Sequence, residues 1–398
     1  MKIGVYGISC AGKDTFITQL LISPLLEKFS HFKGSVILNE LAKEKHSAEF
    51  KNLSEQGKTS IRKSFVESLK EKDNFIVDGH YCFPNMDKIN FDIVFTDSDL
   101  TLYDCFIYLK GNADVIKERL QKSTKNQKFA GLTAEQIHQW QIFEISQLRE
   151  KCFSSAKDFI ILDDDFSDGA VFLSDYIQTY PNKSSFTSAV KITAEITSDK
   201  VALFDCDRTI TLEDTTIPFF QLNNENESSL KSIFADDAYS SYQFWKQAKL
   251  YDKFSVYPNI PAFHLNKIVI DKLVKLKNQG YAVYGLTSGV FRIWQDLNDT
   301  YNLFDAVIGN DLSENNFIIS DFVKGYVAKI LKEKGCTVVS AGDSMCDIFM
   351  LEESNEGFIY APNKLRPLVQ NYFDTHSGTH IKQFSKNPFH YNGIKSEE

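Results

Sequence analysis

The chain has 398 residues, of which 43% are hydrophobic and 24% are charged, and its formal net charge is −9. These values are ordinary for a globular protein long enough for two or three domains, and no apolar run reaches the ~18 residues that a membrane span needs. Both halves are acidic, which disfavours a protein that grips a nucleic-acid backbone.

The first residues, MKIGVYGISCAGK, contain a short apolar stretch without a small-residue cleavage site, so we predict a β-strand rather than a signal peptide. The seven cysteines are scattered, odd in number and free of any C-x-x-C pair. Such usage favours reduced thiols over disulfides or a zinc site. We therefore predict a cytoplasmic protein without a membrane partner, and the sequence leaves its oligomeric state open.

Strand-like apolar runs alternate with helical patterns along the chain. In the first half, helices are predicted at about 13–28, 60–72, 112–122, 133–155 and 168–180, between the strands KIGVY, NFIVD, CFIYL and DFIIL. The second half continues with the strands KVALF, YAVYGL, TVVSAG and GFIYA. Short buried strands separated by helices indicate a parallel sheet covered on both faces. We therefore predict an α/β fold with two tandem doubly wound, Rossmann-like domains.

The seam between the domains is predicted at TYPNKSSFTS, residues 179–188, where Pro, Asn and several Ser and Thr interrupt the apolar periodicity. The predicted domains are residues 1–182 and 190–385. The polar stretch 386–398 is predicted to be a frayed tail.

The stretch GISCAGKDT, residues 7–15, follows a predicted strand and opens a predicted helix. It fits the phosphate-binding loop G-x-x-x-x-G-K, in which backbone N–H groups and a helix N-terminus cradle phosphates and the lysine reaches the terminal ones. Asp14 stands where Ser or Thr is usual, and Cys10 replaces a glycine common in the kinase version of the loop. The predicted ATP-binding residues of this segment are Gly7, Gly12, Lys13, Asp14 and Thr15.

The first half resembles small P-loop kinases of the nucleoside and nucleotide type, with the P-loop as its specific part. The resemblance implies ATP and Mg²⁺. It also implies that Asp78, at the end of the strand in NFIVDGHY, orients the metal or deprotonates the acceptor hydroxyl. Arg119 is predicted to face the transferred phosphates, with Lys122 and Lys125 either beside it or merely solvated. His80 either lines this site or is structural.

Two aspartates, Asp205 and Asp207, end the apolar strand VALF in the motif LFDCDRTI. Like charges this close raise each other's cost of ionisation, and a divalent cation such as Mg²⁺ removes that repulsion. One carboxylate can then attack a phosphorus atom, while the other protonates the leaving oxygen and later activates water. Alternation along an extended chain directs both side chains to one side. The pair therefore predicts a metal-assisted phosphoryl-transfer site.

Three later segments supply matching groups in order. TSG ends the strand YAVYGL, Lys324 begins a helix in DFVKGYVAKIL, and SAGDSMCD ends a strand at Asp343 with Asp347 one turn further on. This order resembles the haloacid dehalogenase-like phosphatases over about residues 198–375, with Arg208 where many members have glycine. The resemblance implies Asp205 as nucleophile, Asp207 as acid and base, Ser288 (or the adjacent Thr287) as phosphate ligand, Lys324 as charge clamp, and Mg²⁺ held by Asp205, Asp343, Asp347 and the backbone carbonyl of Asp207.

The segment of about residues 212–280 is longer than a strand-to-helix crossover needs. It is aromatic and helical in pattern, and similar family members carry a helical cap here that closes over the active site. A cap restricts entry to small substrates and excludes water. The aromatic side chains predicted either to contact substrate or to form the cap's own core are Tyr239, Tyr242, Phe244, Trp245 and Tyr251.

Together these segments predict a bifunctional enzyme: a Mg²⁺-dependent phosphomonoester hydrolase acting on a small phosphorylated metabolite, fused to an ATP-dependent small-molecule kinase. One alternative is a polynucleotide 5′-kinase and 3′-phosphatase, a class that shares this order of domains, although the acidic charge and the cap disfavour it. Another is a phosphatase regulated by an ATP-binding module that hydrolyses nucleotide as a switch or has lost turnover. The identity of both substrates stays open.

Overall fold

The computed structural model describes residues 1–86, 90–163, 166–222, 228–234, 239–251, 263–310, 318–362 and 364–384. The chain forms two compact units, Met1–Tyr180 and Pro181–Glu398. The predicted tail at 386–398 lies outside the described residues.

The first unit is built on a five-stranded parallel sheet with the strand order β2-β3-β1-β6-β7, beside a separate antiparallel pair, β4 and β5. The central runs KIGVY and CFIYL are almost wholly buried, as expected of strands covered on both faces. The strands are β1 Lys2–Tyr6, β2 Ser30–Lys33, β3 Phe75–Asp78, β4 Cys82–Asn85, β5 Asn90–Ile93, β6 Cys105–Leu109 and β7 Asp158–Leu162.

Helices separate these strands and carry recognisable N-terminal signals. Thr133 and Gln136 form a reciprocal capping box, and Ser54 caps a helix by accepting from the N–H of Gly57. The first helix ends at Leu20, short of the predicted residue 28, because Pro24 lacks an N–H and disfavours helical geometry before it. The helices are α1 Lys13–Leu20, α2 Gly34–His46, α3 Glu55–Leu69, α4 Asp97–Leu102, α5 Ala113–Lys122, α6 Ala134–Ser154 and α7 Phe166–Thr179.

The second unit is built on a six-stranded sheet in the order β10-β9-β8-β11-β12-β13, with all pairs parallel. Its strands are β8 Lys200–Phe204, β9 Ala282–Val290, β10 Ala306–Asn310, β11 Thr337–Gly342, β12 Glu356–Tyr360 and β13 Lys382–Phe384. Its helices are α8 Ser185–Ala194, α9 Thr216–Leu222, α10 Ser228–Ile233, α11 Ser241–Tyr251, α12 Lys267–Asn278, α13 Phe291–Tyr301, α14 Asp321–Glu333, α15 Ile348–Glu353 and α16 Pro367–Thr375.

Helix α14 is the most deeply buried helix of this unit among the described residues, with ten of its positions out of solvent. It packs against α8 and α15, and its capping residue Ser320 accepts from the N–H of Val323. Because the helix is enclosed, the charged side chain of Lys324 is buried too and needs anionic partners.

Both units therefore have the predicted α/β class with doubly wound parallel sheets. None of the described helices combines the length and hydropathy that a membrane crossing requires.

Candidate active sites

The carboxyl ends of three neighbouring strands, β9, β8 and β11, bring the predicted residues of the second unit to one edge of its sheet. Such an edge is where open α/β sheets bind ligands. Asp205 and Asp207 follow β8, Ser288 lies near the end of β9, and Asp343 follows β11. The N–H of Asp205 donates to the carbonyl of Ala341 at 2.8 Å, which ties the ends of β8 and β11 together.

Lys324 joins two carboxylates at the centre of the site. Its Nζ donates to Oδ1 of Asp205 at 2.6 Å and to Oδ1 of Asp347 at 2.8 Å. The hydroxyl of Thr209 donates to the other oxygen of Asp205 at 3.0 Å. Burial opposes the charge of Lys324, but Asp205 and Asp347 outweigh it and raise its pKa well above the usual value. Removing one partner of a buried pair typically costs about 3–5 kcal/mol, so this cation keeps the carboxylates together.

Carboxylate oxygens of Asp205, Asp343 and Asp347 all lie within 4.8 Å of one another. Three hard oxygen ligands at this spacing fit a Mg²⁺ ion. Oδ2 of Asp347 also accepts from the N–H groups of Asp343 and Ser344, each at 3.1 Å, and from the Ser344 hydroxyl at 2.9 Å. Asp347 therefore also orders the loop that carries Asp343, whose carboxylate pairs with Arg366.

The carboxylate of Asp207 is not part of this group. The predicted contribution of Asp207 through its backbone carbonyl stays a prediction. Oδ1 accepts from the N–H and hydroxyl of Thr215 at 2.7 and 2.6 Å, and Oδ2 accepts from the indole N–H of Trp294 at 3.0 Å. A Cβ on Gly289 would lie 2.2 Å from Oδ2 of Asp207, so the carboxylate can occupy this position only because residue 289 has no side chain. Thr215 and Trp294 were not foreseen, because no local motif marks them, whereas Gly289 belongs to the predicted TSG stretch but its closeness to Asp207 was not foreseen.

Burial perturbs the acids of the site in the direction that catalysis can use. It raises the pKa of Asp205 to about 6, with the charge of Asp347 adding to the effect. It raises the pKa of Asp207 to about 7, with Asp214 as the next cause. Burial likewise raises the pKa of Asp343 well above its usual range. A carboxyl group with a pKa near neutrality can both donate and accept a proton.

Of the two predicted phosphate ligands, Ser288 is the one that lines the cavity. Its hydroxyl donates to the carbonyl of Ile319 at 2.8 Å, and its own carbonyl accepts from the amide of Asn310 at 3.2 Å. Thr287 is fully buried, and its Oγ1 accepts from the N–H of Gly289 at 2.9 Å. The structure therefore favours Ser288 over Thr287.

The carboxylates open into a cavity of about 370 Å³. Residues from α9, α10 and α11, which lie in the chain between β8 and β9, also line it, and so do the predicted aromatics Tyr239 and Phe244. Tyr242 and Trp245 are buried and stack on each other with ring centroids 6.1 Å apart. This packing matches the alternative in which these two aromatics form a core of their own rather than contact substrate. The side chain of Tyr251 lies outside the described residues.

Arg208 occupies the left-handed region with φ 60° and forms an ion pair of 3.4 Å with Asp214. Both side chains line the cavity. The position where similar phosphatases often have glycine thus keeps a glycine-like conformation but carries a cation into the site.

The predicted P-loop of the first unit has the backbone form of a phosphate cradle. Gly7, Cys10 and Gly12 have φ values of 150°, 66° and 100°, and a Cβ on Gly7 would meet the carbonyl of Leu109 at 2.9 Å. Nζ of Lys13 donates to the carbonyls of Gly7 and Ile8 inside the loop. Burial lowers the pKa of Lys13 to about 8, although Glu144 and Asp78 oppose the shift.

Asp78 lies beside this loop at the end of β3. Its Oδ1 accepts from the N–H of Gly34 at 3.3 Å and lies 3.3 Å from Nε2 of His31. Burial would raise the pKa of Asp78, but the hydrogen bond with His31 and the charge of Lys13 more than offset it, so the pKa is lowered. Ligand atoms of Asp14, His31 and Asp78 lie within 4.8 Å of one another, a group able to hold a divalent cation.

The remaining predicted residues of the first unit differ in position. The guanidinium of Arg119 donates to the carbonyl of Cys10 at 3.3 Å, so it lies against the P-loop. Lys122 is exposed and 3.9 Å from Glu118, which matches the solvated alternative. Thr15 and Asp14 are exposed, and Asp14 lies 3.6 Å from Lys33. Burial, assisted by the charges of Lys13 and Lys125, lowers the pKa of His80 well below its usual value, so this ring is neutral.

Comparison with known proteins gives one family model and a set of solved structures with low sequence identity. The family model described as an AAA domain matches residues 6–138. Among solved structures, an apo phosphoserine phosphatase is 18% identical, covers 46% of this chain and 92% of its own, and has a TM-score of 0.33. A shikimate kinase from Bacteroides thetaiotaomicron is 14% identical, covers 45% of this chain and 98% of its own, and has a TM-score of 0.31. No curated protein has significant sequence similarity to this chain.

Proposed function

We propose that the second unit is a Mg²⁺-dependent phosphomonoester hydrolase that acts on a small phosphorylated metabolite through an aspartyl-phosphate intermediate. The observation that carries this proposal is the buried bridge from Lys324 to Asp205 and Asp347 at the floor of the cavity. A lysine there holds Asp205 ionised and faces the charge of an incoming phosphoryl group, which is the arrangement a carboxylate nucleophile needs.

The reaction follows from the positions of the two aspartates. An oxygen of Asp205 forms a bond to phosphorus as the bond from phosphorus to the leaving alcohol breaks, and Asp207 gives its proton to that alcohol. Asp207, now a carboxylate, takes a proton from water, whose oxygen attacks the phosphorus of the acyl phosphate. Inorganic phosphate leaves and Asp205 is regenerated. A pKa of about 7 suits Asp207 to both steps.

The other residues of the site position the Asp207 carboxyl group and the substrate, or neutralise the phosphoryl charge. Thr215 and Trp294 hold the Asp207 carboxyl on both oxygens, so its proton is presented in one direction. Ser288, at the cavity wall, binds a phosphoryl oxygen. Mg²⁺, held by Asp205, Asp343, Asp347 and the Asp207 carbonyl, supplies further neutralisation of phosphoryl charge when bound.

We further propose that the first unit is an ATP-dependent kinase for a small molecule. The P-loop backbone and Lys13 bind the phosphates of ATP, with Arg119 adjacent to the loop. Asp78 is held ionised by its lowered pKa and accepts the proton of the acceptor hydroxyl. The group Asp14, His31 and Asp78 fits a divalent cation, with Asp14 in place of the usual hydroxyl ligand.

The test is a phosphate-release screen over phosphoserine, sugar phosphates and nucleotides with Mg²⁺, using the full chain and its Asp205→Asn variant. Release that is lost in Asp205→Asn supports the phosphatase, and release that persists refutes Asp205 as nucleophile. Labelled ATP with nucleosides, sugars or a 5′-hydroxyl oligonucleotide tests the kinase. If no acceptor is labelled while ATP alters the phosphatase rate, the first unit is a regulatory module.

A further inference from the structure

Part of the cavity wall is a cluster of aromatic rings. Phe234 and Tyr239 stack with centroids 5.7 Å apart, and Phe244 lies 5.3 Å from Phe234 and 6.4 Å from Tyr239. All three rings line the cavity, together with Ile217 and Leu230. A wall of ring faces and aliphatic groups binds a flat, weakly polar body better than a small charged one.

One polar group interrupts this wall. Gln247 lies on α11 one turn after Phe244, lines the same cavity and is only 7% exposed. Its Oε1 has no hydrogen-bond partner among the described residues. A buried amide oxygen without a partner costs free energy that a ligand N–H or O–H can recover. Oε1 itself is enclosed, so it can accept from a bound molecule once the amide of Gln247 turns toward the cavity that this residue lines.

The charges around the cavity disfavour a second anion on that molecule. Among the described lining residues each cation has a carboxylate partner: Lys324 has Asp205, Arg366 has Asp343, and Arg208 has Asp214. Each partner acid also lines the cavity. A carboxylate on the leaving group would compete with these acids for the described cations of the lining, which favours an uncharged leaving alcohol.

We propose that this wall is a binding site for a nucleoside, and that the phosphatase acts on nucleoside monophosphates, with Gln247 as the residue that accepts a hydrogen bond from the base or sugar. The inference rests on the phosphatase function proposed above. It follows from three features together: ring faces for stacking, a buried amide oxygen that lacks a partner among the described residues, and described lining cations that each have an acidic partner. Stacking on aromatic side chains with an edge hydrogen bond is how proteins hold a single base, and the 370 Å³ cavity is within the range of small-molecule sites.

The experiment measures kcat and KM for phosphate release from adenosine and guanosine monophosphates, phosphoserine, p-nitrophenyl phosphate and a 3′-phosphorylated oligonucleotide. p-Nitrophenyl phosphate offers a flat leaving group with no N–H or O–H donor. The variants are Gln247→Met, which removes the acceptor at similar size, and Gln243→Met, a matched change on the same helix at a buried glutamine bonded to Ser240. Asp205→Asn identifies the phosphate release that belongs to this site, because any nucleotide hydrolysis by the first unit does not use Asp205.

We expect kcat/KM for the nucleoside monophosphates to exceed that for phosphoserine by at least about tenfold. Gln247→Met should lower it by about 10- to 100-fold for nucleotides, as for a lost hydrogen bond to a buried group, and by less than about twofold for p-nitrophenyl phosphate. Gln243→Met should not reproduce this selectivity.

Three results would overturn the inference: preference for phosphoserine, preference for the oligonucleotide end, or an equal loss on nucleotides and p-nitrophenyl phosphate in Gln247→Met. These failures leave the phosphatase itself standing. If none of the five compounds releases phosphate in an Asp205-dependent way, the proposed function fails and this inference fails with it.

Discussion

The indole N–H of Trp294 donates a 3.0 Å hydrogen bond to Oδ2 of Asp207, 87 residues earlier in the chain. Trp294 is fully buried on α13, so the ring cannot turn away without disturbing the core around it. The carboxyl group proposed to move protons is thus aimed by a side chain that has no contact with the phosphoryl group in the proposed mechanism.

Trp294→Phe keeps an aromatic ring in the core but removes this donor. We expect kcat for the best phosphomonoester to fall by about tenfold with little change in KM, because one hydrogen bond to a carboxylate is worth about 1.5 kcal/mol. Steady-state kinetics measure the effect, and Trp245→Phe, a change to another buried tryptophan, on α11, serves as the matched control. A rise in KM without a loss of kcat would contradict the positioning role.

Gly289→Ala tests the same carboxylate from its other side. An added Cβ would lie 2.2 Å from Oδ2 of Asp207, far inside contact distance, so that carboxylate must move. We expect at least a tenfold loss of kcat while the far-ultraviolet circular dichroism is retained. Gly131→Ala is the control, because a Cβ there meets nothing within 4 Å. Unchanged kcat in Gly289→Ala would show that the position of Asp207 is not critical.

Metal removal should abolish phosphate release and lower thermal stability. Asp205, Asp343 and Asp347 lie within 4.8 Å of one another, and Mg²⁺ relieves their mutual repulsion. We expect Mg²⁺ to raise Tm in the wild type and to raise it less in Asp343→Asn, measured by differential scanning calorimetry. An equal rise in both proteins would place the stabilising ion elsewhere.

Nucleotide binding to the first unit should take up a proton near pH 8. Burial lowers the pKa of Lys13 to about 8, and bound phosphates favour its charged form and raise that pKa again. Affinity for ATP is therefore full below pH 8 and falls as the pH rises above it. Isothermal titration calorimetry at pH 8 in buffers of different ionisation enthalpy should detect the uptake.

Lys13→Met should abolish this proton uptake and weaken ATP binding by at least about tenfold, since a buried charge contact to phosphate is lost. Asp205-dependent phosphate release should be unaffected, because Lys13 belongs to the other unit. Proton uptake that persists in Lys13→Met would assign the titration to another group.

The sequence by itself determined those features that are each contained within a single short segment of the chain. Three local patterns carried the prediction: the P-loop at residues 7–15, the aspartates 205 and 207, and short apolar runs typical of buried parallel strands. They predicted the α/β class and the resemblance to two enzyme families. The sequence pattern did not predict the edge strand β2, because SHFK is short and half exposed and lacks a continuous apolar run.

Only the tertiary structure decided which distant side chains complete each site. Trp294 reaches Asp207, Arg366 reaches Asp343, and His31 reaches Asp78 across long stretches of chain. Gln247 is a candidate binding residue because its oxygen is buried without a partner among the described residues, a property that no sequence pattern shows. The physical reason is that a parallel sheet brings the ends of strands far apart in sequence to one edge, and no local pattern records which side chains meet there.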